Sequence, residues 1–594
     1  MNDPPKSFYE FGPFRMDIRR RLLLRDGVLV PLAPKAFETL LVLILNSGRV
    51  MTKKELVETI WPDTFVEESN LAQHIFLLRK ALGEEKSEHR YIVTSPGVGY
   101  RFVAPVRESV LPNSTPTPQS QERTDHTEKI EAATSMAVLP FKPLDATEGD
   151  EFLGLGIADA LIMRLSGLKL VRVRPTTAVL KYAESNQDPW QAGSELNVDT
   201  LLDGVYQRHG DQVRVSVQLI RVKDATTLWA AKFDESFTNI FAIQDSISEQ
   251  VARALELKLS GEERRQLRKN YTDNPEALQA YIKGRYFWNK RTAKDLRKGI
   301  EYARQAIEID PTYAPAYVGL ADCYNLLAGH GGLPPMENFP KAKAAALRAL
   351  EIDETLAEAY SSLGFVQYRF DWNWSEAEEN FRRAIELKPN YPTAHHWYGE
   401  SLLPQGRFEE SIAEMKRALE LDPLSLPINT DLAQSFFFSR RYDHCDEQIQ
   451  KTLELDQNFA RARIIAGMSA EQRGLYQEAV MMFRKAAELS DNNPLALSGL
   501  GHTLATAGSS VEARQILEQL LRLSERQYVS PYNLAVVYLG LGEKELVYEQ
   551  LERAFQHRDV WLVWIKVSPL FDSLRSDARF AELLRHVGLS GTHG

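Results

Sequence analysis

Four side chains between Asn70 and Leu77 carry the most distinctive chemistry in this sequence. The carboxamides of Asn70 and Gln73 each place a donor beside an acceptor, the pairing that matches the exposed edge of adenine. His74 can donate to or accept from a base or a phosphate, and Leu77 suits the methyl group of thymine. They stand in VEESNLAQHIFLLRKALG, where Leu71, Ile75, Leu78 and Leu82 recur at i, i+4, i+7 and i+11. That spacing predicts a helix with one buried stripe, leaving Asn70, Gln73, His74 and Leu77 on a different face, near the exposed side. Lys53, Lys54, Arg79, Lys80 and Arg90 are cations suited to phosphate oxygens, contacts that position a protein on nucleic acid without reading sequence.

The elements that must hold these residues are legible around them. YEFGPFRMD and RRLLLRDGVLVPL predict short strands turning at Asp26–Gly27. Pro34 opens PKAFETLLVLILNSG, a helix whose first-turn proline lacks a donor that the helix would not use. Thr52 and Glu55 have the spacing of a capping box, which starts a second helix running to Ile60. After the helix that ends in LRKALG, the stretch YIVTSPGVGYRFVAPV reads as two strands around Pro96–Gly99, a hairpin.

This order resembles the winged-helix output domain of the OmpR/PhoB class over essentially all of residues 8–105. The motifs that carry the likeness are PLAPKAFETLLVL, GRVMTKKELVETIWPD, LRKALG and YIVTSPGVGYRF. The resemblance implies that the helix Glu67–Leu82 enters the major groove and that the hairpin wing approaches the neighbouring minor groove. Arg101, after Gly99–Tyr100, matches the arginine that the family inserts there. One departure from the family pattern is specific: many relatives place arginines in the middle of the recognition helix, where this chain has Phe76 and Leu77. Relatives of the CadC type carry a transmembrane helix after the winged helix. Here that place holds ESVLPNSTPTPQSQERTDHTEKIEAAT, too polar to bury a core and predicted to be a flexible linker.

Strand-like runs return from Ser135 to about Gly261, interleaved with helical stretches. MAVLPF, EFLGLGIADALIMRLSGLKLVRV and LNVDTLLDGVYQRHGDQVRVSVQLI resemble the α/β domain at the amino terminus of TolB, with a hairpin turn at Gly210–Asp211. Gly154 and Gly156 begin a dinucleotide-binding pattern, but its third glycine is Asp159, and KPLDATEGDEF separates them from the preceding strand. A structural turn and helix start is the better reading.

From Asn274 onward the pattern is helical and repeats. AIEIDP, ALEIDE, AIELKP, ALELDP, TLELDQ and AAELSDN place Asp310, Asp353, Lys388, Asp422, Asp456 and Asp491 at spacings of 43, 35, 34, 34 and 35. Tetratricopeptide repeats have that period, with two antiparallel helices each. The long first spacing matches an insertion at Ala328–Glu337, and the third unit fits with one inserted residue. About eight units are expected through His557.

No catalytic or metal motif emerges. His395 and His396 diverge by about 100° as neighbours on a helix and make a poor chelate. Cys445 falls where the repeat takes a small residue, which predicts packing and not a reactive thiol. Trp372, Trp374, Trp561 and Trp564 are read as packing. The longest apolar run, Leu40–Leu45, is far short of a membrane span. Residues 1–107 hold 16 Lys/Arg against 13 Asp/Glu, a balance of +3, so the remainder of the −10 chain carries −13. Only this segment has a balance compatible with a polyanion.

The expected fold is multidomain α and α/β: a winged helix-turn-helix over 8–107, a linker over 108–134, a small α/β domain over 135–261 and an α-solenoid of repeat helix pairs over 274–586. The expected function is that of a bacterial, cytoplasmic regulator that binds double-stranded DNA and a protein or peptide partner in the repeat groove, with a second copy on tandem half-sites. No enzyme, cofactor, metal or membrane is expected. Two alternatives stay open: a scaffold whose winged helix binds protein, and a nucleotide or small-ligand sensor in the middle domain.

Overall fold

Gly12, at a φ of 54°, and Pro13 break the first apolar stretch into a tight hairpin. β1 (Ser7–Phe11) and β2 (Phe14–Asp17) pair across it with Phe11 opposite Phe14. The sequence reading had no turn there. The computed structural model describes residues 7–17, 22–25, 28–30, 34–60, 71, 75, 78–79, 81–84, 90–95, 98–110, 134–144, 153–168, 170–183, 188–210, 212–236, 240–255, 257, 259–267, 269, 271–329 and 333–590. Asp26–Gly27 lies outside them, although β3 (Leu22–Arg25) and β4 (Val28–Val30) pair on either side with Arg25 opposite Val28.

The chain divides into two compact units, residues 1–130 and residues 131–594 apart from the turn 223–226. In the first, α1 (Pro34–Leu45) and α2 (Lys53–Ile60) follow the meander, with β5 (Val50–Thr52) between them. β6 (Ile92–Ser95) and β7 (Gly99–Phe102) form the hairpin, and the small sheet has the order β5-β7-β6. β8 (Arg107–Val110) then returns to pair with β1. This strand continues three residues into the stretch read as linker from composition. Residues 111–133 are outside the described set. Phe11, Phe14, Tyr91 and Phe102 pack with ring centroids 5.2–6.0 Å apart and join the meander to the wing.

The second unit begins with β9 (Thr134–Val138), β10 (Lys142–Pro143), α3 (Leu153–Leu165) and β11 (Val171–Val173). β12 (Thr200–His209), β13 (Gln212–Arg221) and β14 (Thr226–Ser236) complete a sheet of order β11-β9-β12-β13-β14, with β10 beside β12. β9 runs parallel to β11 and β12, as a crossover through a helix requires. The hairpin between β12 and β13 turns where expected, with Gly210 at a φ of 61° and His209 opposite Gln212.

Among the described residues eight helix pairs follow, from Pro275–Asn289 with Ala293–Ile309 to Pro531–Gly540 with Lys544–Gln556. Small residues let the helices approach: Gly299, Ala342, Ala377, Ser411, Ala479 and Ala513 are all buried. Cys445 takes the equivalent place, fully enclosed, and burial pushes its thiol well above the ordinary range. The extra residue of the third unit is absorbed as a π-helical turn, Gln367–Asp371, which the left-handed Trp372 closes at a φ of 56°.

The phrases that end the first, second and fourth repeats form an edge against the α/β domain and the segment that follows it. Thr272 donates to Asp310 at 2.5 Å, Lys269 to Asp353 at 2.7 Å and Thr177 to Asp422 at 2.9 Å. Arg174 ties the edge most firmly. Its guanidinium donates to the carbonyls of Leu196 and Asn197 in its own domain and to those of Glu420 and Leu421 at the end of a repeat helix. Gly156 explains itself here, because a Cβ at that position would lie 2.3 Å from Ile282 of the first repeat. The glycine of the incomplete dinucleotide pattern therefore serves close packing.

At the other end, the C-terminal segment folds back onto earlier repeats. Trp564 stacks on Phe438 at 5.3 Å, Trp372 stacks on Phe555 at 5.5 Å, and the Trp374 indole donates to the Val587 carbonyl. The tryptophans pack, as the sequence suggested. His395 faces Glu414 at 2.6 Å while His396 faces Asp431 at 2.7 Å, so the two rings diverge onto different partners.

Candidate nucleic-acid interface

The capping box sets the start of α2. The Thr52 hydroxyl accepts from the Glu55 N–H at 3.2 Å, and the Glu55 carboxylate accepts from the Thr52 N–H at 2.8 Å. That backbone N–H, the Thr52 hydroxyl and the nearby Arg49 hold the Glu55 carboxyl below its usual range. Lys53 and Lys54 therefore occupy the first turn of a fixed helix, Lys53 half-buried and Lys54 exposed.

The stripe expected of the next helix is present. Leu71, Ile75, Leu78 and Leu82 are all buried in the core that contains α1 and α2. The helix ends at Gly83, whose φ is 66°, and the Glu84 N–H reaches back to the Arg79 carbonyl at 2.9 Å. This closure is a Schellman motif, which satisfies carbonyls that a helix end leaves open. The Glu84 carboxylate then accepts from the N–H groups of Tyr91 and Ile92, and the Arg79 guanidinium donates to the Ile92 carbonyl and the Thr94 hydroxyl. Helix end and wing strand are thus held together by a crossed pair of polar contacts. Asn70, Gln73, His74, Leu77 and Lys80 lie outside the described residues.

In the wing, Tyr100 and Phe102 are buried while Arg101 between them is only half-buried, as alternation along β7 requires. The Arg101 Nε is shielded and has no hydrogen-bond partner among the described residues. Gly99 is required where β7 meets β5: a Cβ there would sit 1.9 Å from the Met51 carbonyl oxygen. Arg90 is exposed, with its guanidinium 5.5 Å from the Tyr91 ring centroid. Described cations at the helix end, the wing and α2 therefore rest on one small core. Sequence reasoning missed the dual tether of Arg79 and Glu84. A Glu directly after a helix-ending Gly and before a strand was the available signal.

A winged helix followed in the chain by an α/β domain and helical repeats is the class that this fold defines. Residues 27–102 match the family described as transcriptional regulatory protein, C terminal. Residues 132–250 match the HilA/YgeH-like transcriptional regulator, second domain, and residues 373–425 match a tetratricopeptide repeat. Residues 27–102 thus carry an OmpR/PhoB-type winged helix, residues 132–250 are similar to the second domain of HilA/YgeH-like regulators, and tetratricopeptide repeats follow.

Along its length it is similar to the transcriptional regulator HilA of Salmonella typhi, 25% identical over 564 residues, which cover 93% of this chain and 95% of that one. A putative adenylate cyclase 3 of Rhizobium meliloti is 27% identical over 241 residues, 40% of each chain. Among solved structures, the response regulator DrrB, a Thermotoga maritima OmpR/PhoB homologue, is 35% identical over 16% of this chain and 44% of its own, with a TM-score of 0.16. Among the described residues no helix is long and apolar enough to cross a membrane.

Proposed function

We propose that the chain is a one-component transcription regulator that binds a specific duplex DNA element through residues 8–107 and a protein or peptide through its repeats. The observation that carries this reading is the anchored pair of helix end and wing, with Arg101 turned away from the core on β7, the strand paired with the β6 that the helix end braces. Asn70, Gln73, His74 and Leu77 read bases in the major groove, and Arg101 enters the minor groove. Lys53, Lys54, Lys80 and Arg90 contact phosphates. Arg79 joins them through Nε and Nη1, since its Nη2 is spent on Ile92 and Thr94. The protein works in the cytoplasm and without catalysis, and two copies gain avidity on tandem half-sites. The working boundaries are 8–107, 135–261 and 274–586, with β8 added to the first.

The test is selection of binding sites from random duplex DNA with the full chain, beside an Asn70→Ala/Gln73→Ala/Arg101→Ala variant. An enriched motif that the variant loses supports the reading. No enrichment at low salt, where phosphate contacts are strongest, overturns it in favour of a protein-binding scaffold.

A further inference from the structure

We infer that the exposed face of the first repeat is a second contact for duplex DNA, holding phosphates beside the element that residues 8–107 read; the inference rests on that reading. Residues 283–304, KGRYFWNKRTAKDLRKGIEYAR, carry eight Lys/Arg against two acids, a balance of +6, so the rest of the −10 chain carries −16. A balance taken domain by domain hides this stretch, because acids elsewhere in the repeats outweigh it.

The charge is not neutralised locally. Lys290, Lys294, Arg297, Lys298 and Arg304 are exposed, and Lys294, Arg297 and Lys298 form no ion pair among the described residues. Of the two acids, Asp295 is engaged as the partner of the helix cap, accepting from the Thr292 hydroxyl at 2.6 Å. Glu301 is exposed and pairs with none of the described cations. Arg285 and Arg291 are not part of the face: they lie over the Trp288 ring at 4.3 and 4.1 Å, and Arg285 faces Asp322 at 3.9 Å.

The cations are also gathered. Phe287 and Tyr302 stack across helices Pro275–Asn289 and Ala293–Ile309 at 5.5 Å, with ring planes 4° apart. Lys290 and Lys298 lie 5.8 and 4.9 Å from the Phe287 ring, and Lys283 lies 5.8 Å from that of Tyr302. Three ammonium groups around one ring pair repel one another, and exposed ring faces offset little of that. A polyanion would offset the rest. Along Ala293–Ile309 the cations run from Lys294 to Arg304, about 15 Å at 1.5 Å per residue, the length of about four base-pair steps. The two rings spend their faces on each other and on lysines, so the face offers charge and not a platform on which an unpaired base could stack. That is how a duplex backbone is held, without reading sequence. Because the same chain carries the winged helix, the duplex bound there meets this face at a high effective concentration.

The experiment is fluorescence anisotropy of the full chain between about 50 and 300 mM salt, on duplexes carrying the selected element with flanks of about 5 or about 30 base pairs. The variant Lys294→Glu/Arg297→Glu/Lys298→Glu changes exposed side chains only, and it should melt with the wild type. Wild type should hold the long duplex at least about tenfold more tightly at the lowest salt, with a salt slope steeper by about two to three units, at about 0.9 per phosphate. The variant should lose that increment and keep the affinity for the short duplex. A slope that ignores flank length, or an increment that the variant retains, overturns the inference and leaves the winged-helix reading intact. Failure to bind either duplex overturns both. Polyglutamate bound as tightly as the long duplex, and released by the same variant, would assign the face to an acidic protein and overturn the inference too.

Discussion

The two compact units form their working surfaces in different ways. In the winged helix, candidate contacts project from single elements whose cores are local. Leu71, Ile75, Leu78 and Leu82 bury one stripe in the core that also holds α1 and α2. In the second unit, polar contacts join the α/β domain to the repeats across long stretches of sequence. Tyr281 touches Met163 from 118 residues away, and Arg174 reaches Glu420 from 246. Periodicity reports which face of an element is buried. It does not report against what.

Two substitutions break this comparison most strongly. Gly99→Ala places a methyl group against the Met51 carbonyl, 1.9 Å from the oxygen, and should cost the first unit about 3 kcal/mol or more. Scanning calorimetry should show the winged-helix transition lowered and the second unit unmoved, and DNA affinity should collapse in the same preparation. Survival of DNA binding would mean that the wing is dispensable. Arg174→Ala is the counterpart. It deprives four carbonyls of their donor at a buried site and should cost the second unit about 3 kcal/mol. Hydrogen exchange should rise at the end of helix Phe408–Leu421 while DNA affinity is unchanged.

Legibility in the sequence follows the same division. The repeat phrases, the capping box of Thr52 and Glu55 and the leucine stripe are local patterns, and each reappears in the fold. The inserted residue of the third repeat was visible from spacing, and its conversion into a π-helical turn follows from adding one residue to a helix that must keep its face. β8 was hidden because Arg107–Val110 has no alternation of its own and sits beside a polar stretch. The docking edge was hidden for another reason. Asp310, Asp353 and Asp422 were seen as markers of period, whereas their carboxylates are also acceptors for Thr272, Lys269 and Thr177. An acid repeated at a helix end, where the dipole disfavours it, was the signal that something else engages it.

A smaller effect separates reading from positioning within the first unit. Asn70→Ala and Gln73→Ala should each cost about 1–3 kcal/mol on the selected site and almost nothing on random DNA. Lys54→Ala should weaken both alike and reduce the salt dependence by about one unit of slope. Fluorescence anisotropy at several salt concentrations distinguishes the two behaviours. Equal losses from all three would make the helix a phosphate binder only.

A last effect sharpens the other side, because it reads the docking edge through a single proton. Asp422 is buried, and desolvation raises its carboxyl to about 6 from an ordinary 3.8, against the opposing influence of Thr177, Arg174, Arg291 and His396. The folded state therefore holds this proton more tightly than the unfolded chain does. Its contribution is greatest below the unfolded value and is lost as the pH rises through the folded one, so stability should fall between about pH 4 and pH 6 and level off above. Asp422→Asn keeps an oxygen to accept from Thr177 and has no proton to lose. Subtracting its melting curve from that of the wild type cancels every other titration. The difference should change by no more than about 3 kcal/mol across that window and be flat beyond it. A flat difference throughout would show that Arg174 already keeps Asp422 ionised, making the edge a buried ion pair and not a protonated hydrogen bond.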